Sequence, residues 1–171
     1  RDDVAVEIQL FPQLHDLRSI LWSGPQHIAG EWGHQSLDAA GPACYCGRRG
    51  CVETFLSGPG LRGDYRTHGG DAALDTRAIV QRAADGDPAC EAAMQRYLDR
   101  FGRALATVIN ILDPDAVVLG GGMSNIDRLY VDVPAMWERW VFSDRVDTRL
   151  VRNRHGDSSG VRGAARLWPM A

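Results

Sequence analysis

One histidine and three cysteines lie close enough in the sequence to bind a single metal ion. They are His34, Cys44, Cys46 and Cys51, in the segment HQSLDAAGPACYCGRRGCVE at residues 34–53. Zinc prefers four tetrahedral nitrogen and sulfur ligands, and one imidazole with three thiolates leaves no open position for water. We therefore predict a structural zinc site. The alternative is a pair of buried free thiols beside an unrelated histidine, a rarer outcome for clustered cysteines.

Two carboxylates flank this cluster in the sequence. Glu31 precedes His34 by three residues, and Glu53 follows Cys51 by two. If a metal ion holds both ends of the segment, the two carboxylates come close together and can accept hydrogen bonds from the vicinal hydroxyls of a sugar. Most glutamates, however, are solvated surface acids. The spacing alone leaves sugar binding and the surface role as equal alternatives.

Glycines supply a second set of candidate positions. Gly47 and Gly50 allow the positive-φ turns that a chain needs in order to fold back on a metal over a short distance. Gly120, Gly121 and Gly122 follow an apolar run, and their missing side chains let a ligand such as a nucleotide approach the backbone. The triplet lacks both the G-x-G-x-x-G and the P-loop patterns. Nucleotide contact and a plain strand-to-helix turn therefore stay open.

The helices that must position these residues are inferred from hydrophobic periodicity. Asp87 and Pro88 predict the start of a long helix that ends before Pro114. Its apolar stripe has a 3.6-residue period. The stripe consists of Met94, Tyr97, Leu98, Phe101, Leu105, Val108 and Leu112. A shorter helix is predicted over residues 75–86, with Thr76 as its N-cap.

Two strands are predicted in the second half of the chain. Residues 116–119, AVVL, have the continuous apolar character of a strand buried on both faces. Residues 146–150 alternate in the manner of a second strand. Residues 125–141 predict one or two helices between them, with Pro134 near a helix start. Strands alternating with helices favour an α/β lobe with a parallel sheet.

The two ends of the chain are less regular. Residues 1–21 show no sustained period and predict neither a strand nor a helix. Residues 22–60 are rich in Gly, Pro and Cys, which indicates a loop whose order must come from another source, and zinc is the obvious one. Asp157 or Ser158 is expected to cap a final helix that extends to Trp168.

Composition limits the class of protein. The chain has 171 residues, 44% hydrophobic and 24% charged, which suits one globular domain. A net charge of −3 with scattered basic residues argues against a nucleic-acid partner. We expect a cytoplasmic protein without a membrane partner, since no apolar run is long enough to cross a bilayer. The C-x-C step suits a metal in a reducing compartment, and Cys90 is expected to be a buried hydrophobe.

Four segments resemble the ROK family of sugar kinases. They are IAGEWGH at 28–34, CYCGRRGCVETFLSGPG at 44–60, LDPDAVVLGGGMSN at 112–125 and HGDSSGVRGAARLW at 155–168. Together they cover about residues 22–169, in an order and spacing that make chance improbable. The nearest likeness is to bacterial fructokinases of the mannofructokinase type.

This resemblance implies an actin-like, ribonuclease H-like ATPase lobe with a zinc-stabilised loop insertion. It implies an enzyme that transfers the γ-phosphoryl group of ATP, with Mg²⁺, to a hexose, here fructose. The zinc ligands of the family fall on the histidine and three cysteines of the predicted metal site. Its sugar contacts fall on Glu31, His34 and Glu53, and its adenosine contact falls on Gly120–Gly122.

The resemblance also has a limit. The family places a phosphate loop and a catalytic aspartate ahead of the segment that resembles residues 28–34, and residues 1–21 show neither. We expect a non-matching leader followed by a C-terminal lobe at 22–171, with the zinc and sugar loop at 28–60 and the nucleotide-facing part at 72–169. Phosphoryl transfer depends on positioning and charge stabilisation. The chain alone is therefore expected to be weakly active or inactive, with no catalytic residue of its own.

Several alternatives stay open. N-acetylglucosamine and glucose are the alternatives to fructose, because hexose choice depends on contacts that lie partly outside this lobe. A non-catalytic, zinc-containing sugar-binding fragment is a further alternative. A transcriptional regulator of the same family would need a helix-turn-helix, which residues 1–21 do not predict. The expected partners are a hexose and ATP, and a homodimer is the candidate assembly.

Overall fold

The computed structural model contains a three-stranded sheet. The structure describes residues 4–9, 25, 26, 28 and 30–154. The strands, in spatial order, are β1 (Val4–Gln9), β2 (Ala116–Gly121) and β3 (Arg149–Arg152). Strand β1 is antiparallel to β2, with Val4 opposite Gly121, and β3 is parallel to β2, with Arg149 opposite Ala116. The parallel pairing is confirmed, while β1 adds a strand within residues 1–21, where the sequence predicted none.

The observed strands differ from the predicted ones at their ends. Strand β2 continues two residues beyond the predicted run and ends at Gly121. Strand β3 begins later than predicted, at Arg149, and ends at Arg152. Ahead of it, Thr148 is buried and its hydroxyl donates to the carbonyl of Pro114 at 2.7 Å. Arg149, the first residue of β3, donates its N–H to the carbonyl of Asp115, the residue just before β2.

Five helices and two 3₁₀ turns complete the described part of the chain. The helices are α1 (Val52–Leu56), α2 (Gly58–Thr67), α3 (Thr76–Ala84), α4 (Pro88–Leu112) and α5 (Arg128–Trp137). The 3₁₀ turns are Glu31–His34 and Gly122–Asn125. Helix α4 packs against each of the other four helices. No helix in these described residues combines the length and apolarity needed to cross a membrane.

Helix α4 confirms the strongest element prediction. The Asp87 side chain accepts a hydrogen bond from the N–H of Cys90 at 2.9 Å, which caps the first turn. The helix ends at Leu112, and its C-cap Asp113, just before Pro114, has the left-handed conformation with φ of 43°. The predicted apolar stripe is buried except for Leu112, which is 45% exposed because it lies on the last turn, past the core. Cys90 is fully buried, as predicted.

Two details of the helix predictions were wrong. The N-cap of α3 is Asp75, not Thr76, because the carboxylate of Asp75 accepts from the N–H of Ala78 at 2.7 Å. The Thr76 hydroxyl instead donates to the carbonyl of Gly58 at 2.8 Å. Pro134 lies inside α5, not near its start. Its ring nitrogen has no hydrogen, so α5 lacks one helical hydrogen bond at that turn.

Helices α1 and α2 begin inside the segment that the sequence indicated as loop. The Ser57 hydroxyl accepts from the N–H of Gly60 at 3.1 Å and caps α2. Leu61 and Tyr65, four residues apart, are buried against the core. The Tyr97 hydroxyl donates to the carbonyl of Leu56 at 3.1 Å, which ties α1 to α4. The helix predicted to extend to Trp168 lies outside the described residues.

Candidate metal and sugar site

The segment from residue 31 to residue 51, here called the Cys loop, is folded by its own backbone hydrogen bonds. Isolated antiparallel bridges join Ser36 to Cys51 and Ala43 to Arg49. The N–H of Cys44 donates to the carbonyl of Arg48 at 2.9 Å. These pairings bring the end of the first 3₁₀ turn, and therefore His34, next to the last cysteine.

Two glycines make this folding possible, as predicted. Gly47 has φ of 85° and Gly50 has φ of 60°, a left-handed conformation that other residues adopt at a cost. At Gly50, a Cβ atom would lie 1.6 Å from the carbonyl oxygen of Asp38. At Gly47, a Cβ atom would meet nothing within 4 Å. Only glycine therefore fits at Gly50, where two segments of the Cys loop cross.

The four predicted metal ligands come together in the structure. One ligand atom from each of His34, Cys44, Cys46 and Cys51 lies within 4.8 Å of all the others. The Sγ atoms of Cys46 and Cys51 are 3.6 Å apart, and Cys44 Sγ is 3.7 Å from His34 Nδ1. Zinc–sulfur bonds of about 2.3 Å at tetrahedral angles separate two ligand sulfurs by about 3.8 Å. The size and chemistry of this cluster therefore fit a zinc ion.

The three thiols have different environments. A hydrogen bond to Glu53 raises the pKa of Cys44 to about 12, and its Sγ lies 3.0 Å from the carboxylate. Hydrogen bonding from the Arg48 backbone lowers the pKa of Cys46 to about 7. Burial raises the pKa of Cys51. A metal ion binds thiolates, so loading of this cluster must release protons.

Both predicted sugar-binding carboxylates lie beside the His34 ring. Glu53 Oε1 is 3.4 Å from Nδ1, on the side of the ring that faces the cysteines. Glu31 Oε2 is 3.8 Å from Nε2, on the opposite side. The His34 side chain is 20% exposed and that of Glu31 is 66% exposed. The exposed carboxylate of Glu31, the half-buried carboxylate of Glu53 and one edge of the His34 ring are therefore available at one surface.

Tyr45 is a contact that the sequence analysis missed. Its hydroxyl lies 2.8 Å from His34 Nε2, and its ring meets the imidazole edge-on at 5.1 Å between centroids. Tyr45 is 84% exposed. Its place between Cys44 and Cys46, in the C-x-C step, is the signal that could have identified it, because that position must lie beside the cysteine cluster.

The predicted nucleotide-facing glycines lie in a different element, at the end of β2. Gly120 is buried, Gly121 has φ of 78°, and Gly122 is exposed at the start of the second 3₁₀ turn. The Ser124 hydroxyl donates to the Gly121 carbonyl at 2.7 Å, and the Asn125 amide donates to the Gly122 carbonyl at 3.2 Å. The element after the triplet is thus one short turn held by side chains, where the sequence suggested a helix.

Comparison with known proteins gives relatives of stated activity. N-acetyl-D-glucosamine kinases from Yersinia pseudotuberculosis and Salmonella typhi match over 155 residues, at 36% and 35% identity. Each match covers 85% of this chain and 51% of the relative. The chain therefore spans about half the length of the curated relatives it matches.

Solved structures share the fold. A ROK family glucokinase from Streptomyces griseus, in complex with glucose and AMPPNP, is 25% identical, with a TM-score of 0.73 over 82% of this chain and 51% of its own. A ROK hexokinase from Thermus thermophilus is 30% identical, with a TM-score of 0.72 over 87% and 50%. A ROK family transcriptional regulator, a homologue of the E. coli MLC protein, is 29% identical, with a TM-score of 0.70 over 84% and 39%.

These likenesses agree with the α/β class seen in the structure and support the expected actin-like lobe. The sequence model of one family, described as the ROK family, matches residues 17–171. Because the matched residues make up far more than half of the chain, this protein belongs to the ROK family.

Proposed function

We propose that this chain is the zinc-bearing, sugar-binding part of an ATP-dependent hexose kinase. One observation carries the proposal: the two nitrogens of His34 face different neighbours. Nδ1 lies 3.7 Å from Cys44 Sγ, among the thiols, while Nε2 faces outward beside Tyr45 and Glu31. A histidine held in this way links a metal cluster to a surface that can bind hydroxyl groups.

The proposed role of zinc is to fix the positions of side chains around the sugar. His34, Cys44, Cys46 and Cys51 would hold the ion, and ions of this kind set the orientation of their ligands and of the groups around them. Glu31 and Glu53 would then accept hydrogen bonds from neighbouring sugar hydroxyls. A closed four-ligand shell supplies order, not a reactive water molecule.

The proposed position of the nucleotide is the glycine turn at the end of β2. Gly121 and Gly122 expose backbone where a side chain would otherwise stand, which lets adenosine approach closely. ATP would arrive with Mg²⁺, which neutralises phosphate charge during transfer. The support is the likeness to the Streptomyces griseus glucokinase, whose structure contains glucose and AMPPNP.

For the hexose, we propose N-acetylglucosamine or glucose ahead of fructose. The relatives from Yersinia pseudotuberculosis and Salmonella typhi are N-acetyl-D-glucosamine kinases, and the Streptomyces griseus structure is a glucokinase. Fructose, which the sequence resemblance favoured, stays a prediction to be tested beside them. Glu31 and Glu53 are able to accept hydrogen bonds from each of these sugars, so the two carboxylates do not decide among them.

Calorimetric titration of the purified, zinc-loaded chain tests the sugar site. We expect saturable binding of at least one of N-acetylglucosamine, glucose and fructose, and about tenfold weaker binding after Glu31→Gln, because one charge-assisted hydrogen bond is lost. Glu138→Gln is the matched control, since Glu138 is an exposed glutamate at the end of α5. Equal weakening by the two substitutions would contradict the assignment of Glu31.

Two further measurements separate the parts of the proposal. Metal analysis should find about one zinc per chain, in keeping with one four-ligand shell. Less than half an equivalent would contradict the zinc site. A coupled assay for ATP-dependent phosphorylation should show no robust turnover by this chain alone. Sugar binding without turnover supports a binding part that needs further catalytic groups, whereas absence of both zinc and sugar binding refutes the function.

A further inference from the structure

An open cleft of about 640 Å³ lies between α4, the Cys loop and the end of α5, and none of the four predicted metal ligands lines it. Four of its lining side chains are arginines: Arg96, Arg100, Arg103 and Arg139. The first three occupy the i, i+4 and i+7 positions of α4, so they lie on one face of the helix. This cleft, here called the arginine cleft, plays no part in the proposed kinase site.

The carboxylates around the arginine cleft are fewer than its guanidinium groups. Asp64 is shared, since Arg96 and Arg100 both contact it at 2.7 Å. The partner of Arg139 is Asp99, which also lines the cleft, at 3.2 Å. Asp38 is the remaining acidic residue of the lining, and its side chain accepts from the N–H of Ala40. Four arginines therefore face three carboxylates.

Arg103 differs from the other three arginines of the cleft, because each of those contacts a carboxylate. It has no carboxylate partner within the residues that the structure describes; one Nη atom donates to the Leu37 carbonyl at 3.2 Å. Its guanidinium carbon lies 5.9 Å from the centre of the Trp140 ring. Its Nε is buried and has no hydrogen-bond partner in this part of the chain. A half-buried guanidinium held by a carbonyl and a ring is oriented, yet no carboxylate neutralises its charge.

We propose that the arginine cleft binds a small phosphate-bearing anion. Arginine presents a planar fork of donors that matches phosphate oxygens in pairs, and guanidinium groups gathered at one site suit such a ligand. The volume exceeds that of phosphate alone and lies within the usual size of small-molecule sites, about 300–1,000 Å³. Gln95 and Met136, which also line the cleft, can contact the rest of a larger molecule.

Two sources share this chemistry: inorganic phosphate and a phosphorylated hexose. Titration of the purified 171-residue chain with sodium phosphate and with glucose 6-phosphate, at constant ionic strength set with sodium chloride, distinguishes them. Saturable binding of both with equal affinity assigns recognition to the phosphate group. Tighter binding of glucose 6-phosphate assigns part of the cleft to the sugar as well. Absence of saturable binding of either ligand overturns the proposal.

Substitutions of opposite expected effect locate the site. Arg139→Gln should weaken binding about tenfold, because a charge-assisted donor is lost. Asp99→Asn should tighten binding, about threefold, since a carboxylate that competes with the anion for Arg139 is removed. Arg145→Gln is the matched control, because Arg145 is an exposed arginine paired with Asp147 outside the cleft lining.

The control should stay within about twofold of the unsubstituted chain, as expected for an exposed charge screened by salt. The gain after Asp99→Asn is informative even where Arg139→Gln lowers stability, because misfolding cannot tighten binding. Equal loss in Arg139→Gln and Arg145→Gln, or no gain from Asp99→Asn, would show that phosphate responds only to net charge and would overturn the site. Failure here leaves the zinc and sugar proposal intact, since the arginine cleft shares no ligand residue with it.

Discussion

Among substitutions that add a single methyl group to the Cys loop, Gly50→Ala should destabilise the loop most. Gly50 has φ of 60°, and its new Cβ atom would lie 1.6 Å from the Asp38 carbonyl oxygen. That oxygen belongs to the backbone and accepts from the N–H of Gly41 at 2.9 Å, so it cannot swing aside as a flexible side chain would. The loop segments on either side of Gly50 must separate.

The expected cost follows from the bonds that this separation breaks. The Gly50 carbonyl accepts from the N–H of Leu37 at 2.7 Å, and the Gly50 N–H donates to the carbonyl of Pro42 at 2.7 Å. A left-handed alanine costs about 1 kcal/mol, and each lost backbone hydrogen bond costs about 1 kcal/mol. Gly50→Ala should therefore lower the free energy of unfolding by about 3 kcal/mol.

Gly47→Ala is the matched control. Gly47 has φ of 85°, so its alanine variant carries the same backbone penalty, but its Cβ atom would meet nothing within 4 Å. We expect a loss of about 1 kcal/mol. For a chain of this length each kilocalorie corresponds to about 3 °C in Tm, so the two variants should differ by about 6 °C.

Thermal unfolding followed by circular dichroism, together with zinc content after dialysis, measures both effects. Gly50→Ala should also retain less zinc, because residue 50 directly precedes Cys51, one of the four proposed ligands. If Gly50→Ala and Gly47→Ala lower the free energy of unfolding by amounts that agree within about 0.5 kcal/mol, the contact between residue 50 and the Asp38 backbone is not tight. The reasoning from backbone contact would then be refuted, although the ligand cluster itself would not.

Three other predictions concern the rest of the chain. Asp64→Asn should cost about 2 kcal/mol at pH 7, since Arg96 and Arg100 lose a shared carboxylate. Burial raises the pKa of Asp64, but the hydrogen bonds and charges of these two arginines outweigh it and hold the pKa below its usual value. The stability that the Asp64 carboxylate contributes is therefore complete above the carboxyl pKa of the unfolded chain and disappears as pH falls through the folded-state pKa. In urea unfolding, the free energies of the unsubstituted chain and of Asp64→Asn should therefore become equal in acid. Asp75→Ala should cost about 1 kcal/mol in urea unfolding, because the N-cap bond to Ala78 is lost. A chelator should lower the Tm of the zinc-loaded chain yet leave its far-ultraviolet helical signal, and complete loss of that signal would contradict a core that folds around α4.

Sequence reasoning succeeded where the determinants are local. The four predicted metal ligands lie within a stretch of 18 residues in the Cys loop, and the structure brings them together as expected from that short spacing. Their types favour tetrahedral nitrogen and sulfur coordination. Helix α4 carries its own start at Asp87, its own stop before Pro114 and a regular apolar stripe. Each of these features can be recognised without knowledge of the rest of the fold.

Sequence reasoning failed where tertiary contacts decide. Helix α2 contains three glycines and a proline, so its intrinsic helix propensity is poor. Its helical form comes from the Ser57 cap and from the burial of Leu61 and Tyr65 against the core. Strand β1 is defined by pairing with β2, more than a hundred residues later in the chain, and no local pattern encodes that partner. The Tyr45 contact with His34 likewise exists only once the loop has closed.

The connection between the Cys loop and α4 bears on the role that we propose for zinc. Arg103 of α4 donates to the Leu37 carbonyl, and the N–H of Leu37 donates to the carbonyl of Gly50, so the loop is fastened to the central helix by bonds that involve no metal ligand. A bound ion would therefore not need to hold the loop against the core. The contribution that we propose for zinc is to orient the side chains that the backbone leaves free, above all the His34 ring and the thiols around it. In the proposed site, a metal with no open position would still affect sugar recognition, because it would set the direction of one imidazole edge on a loop that is already attached.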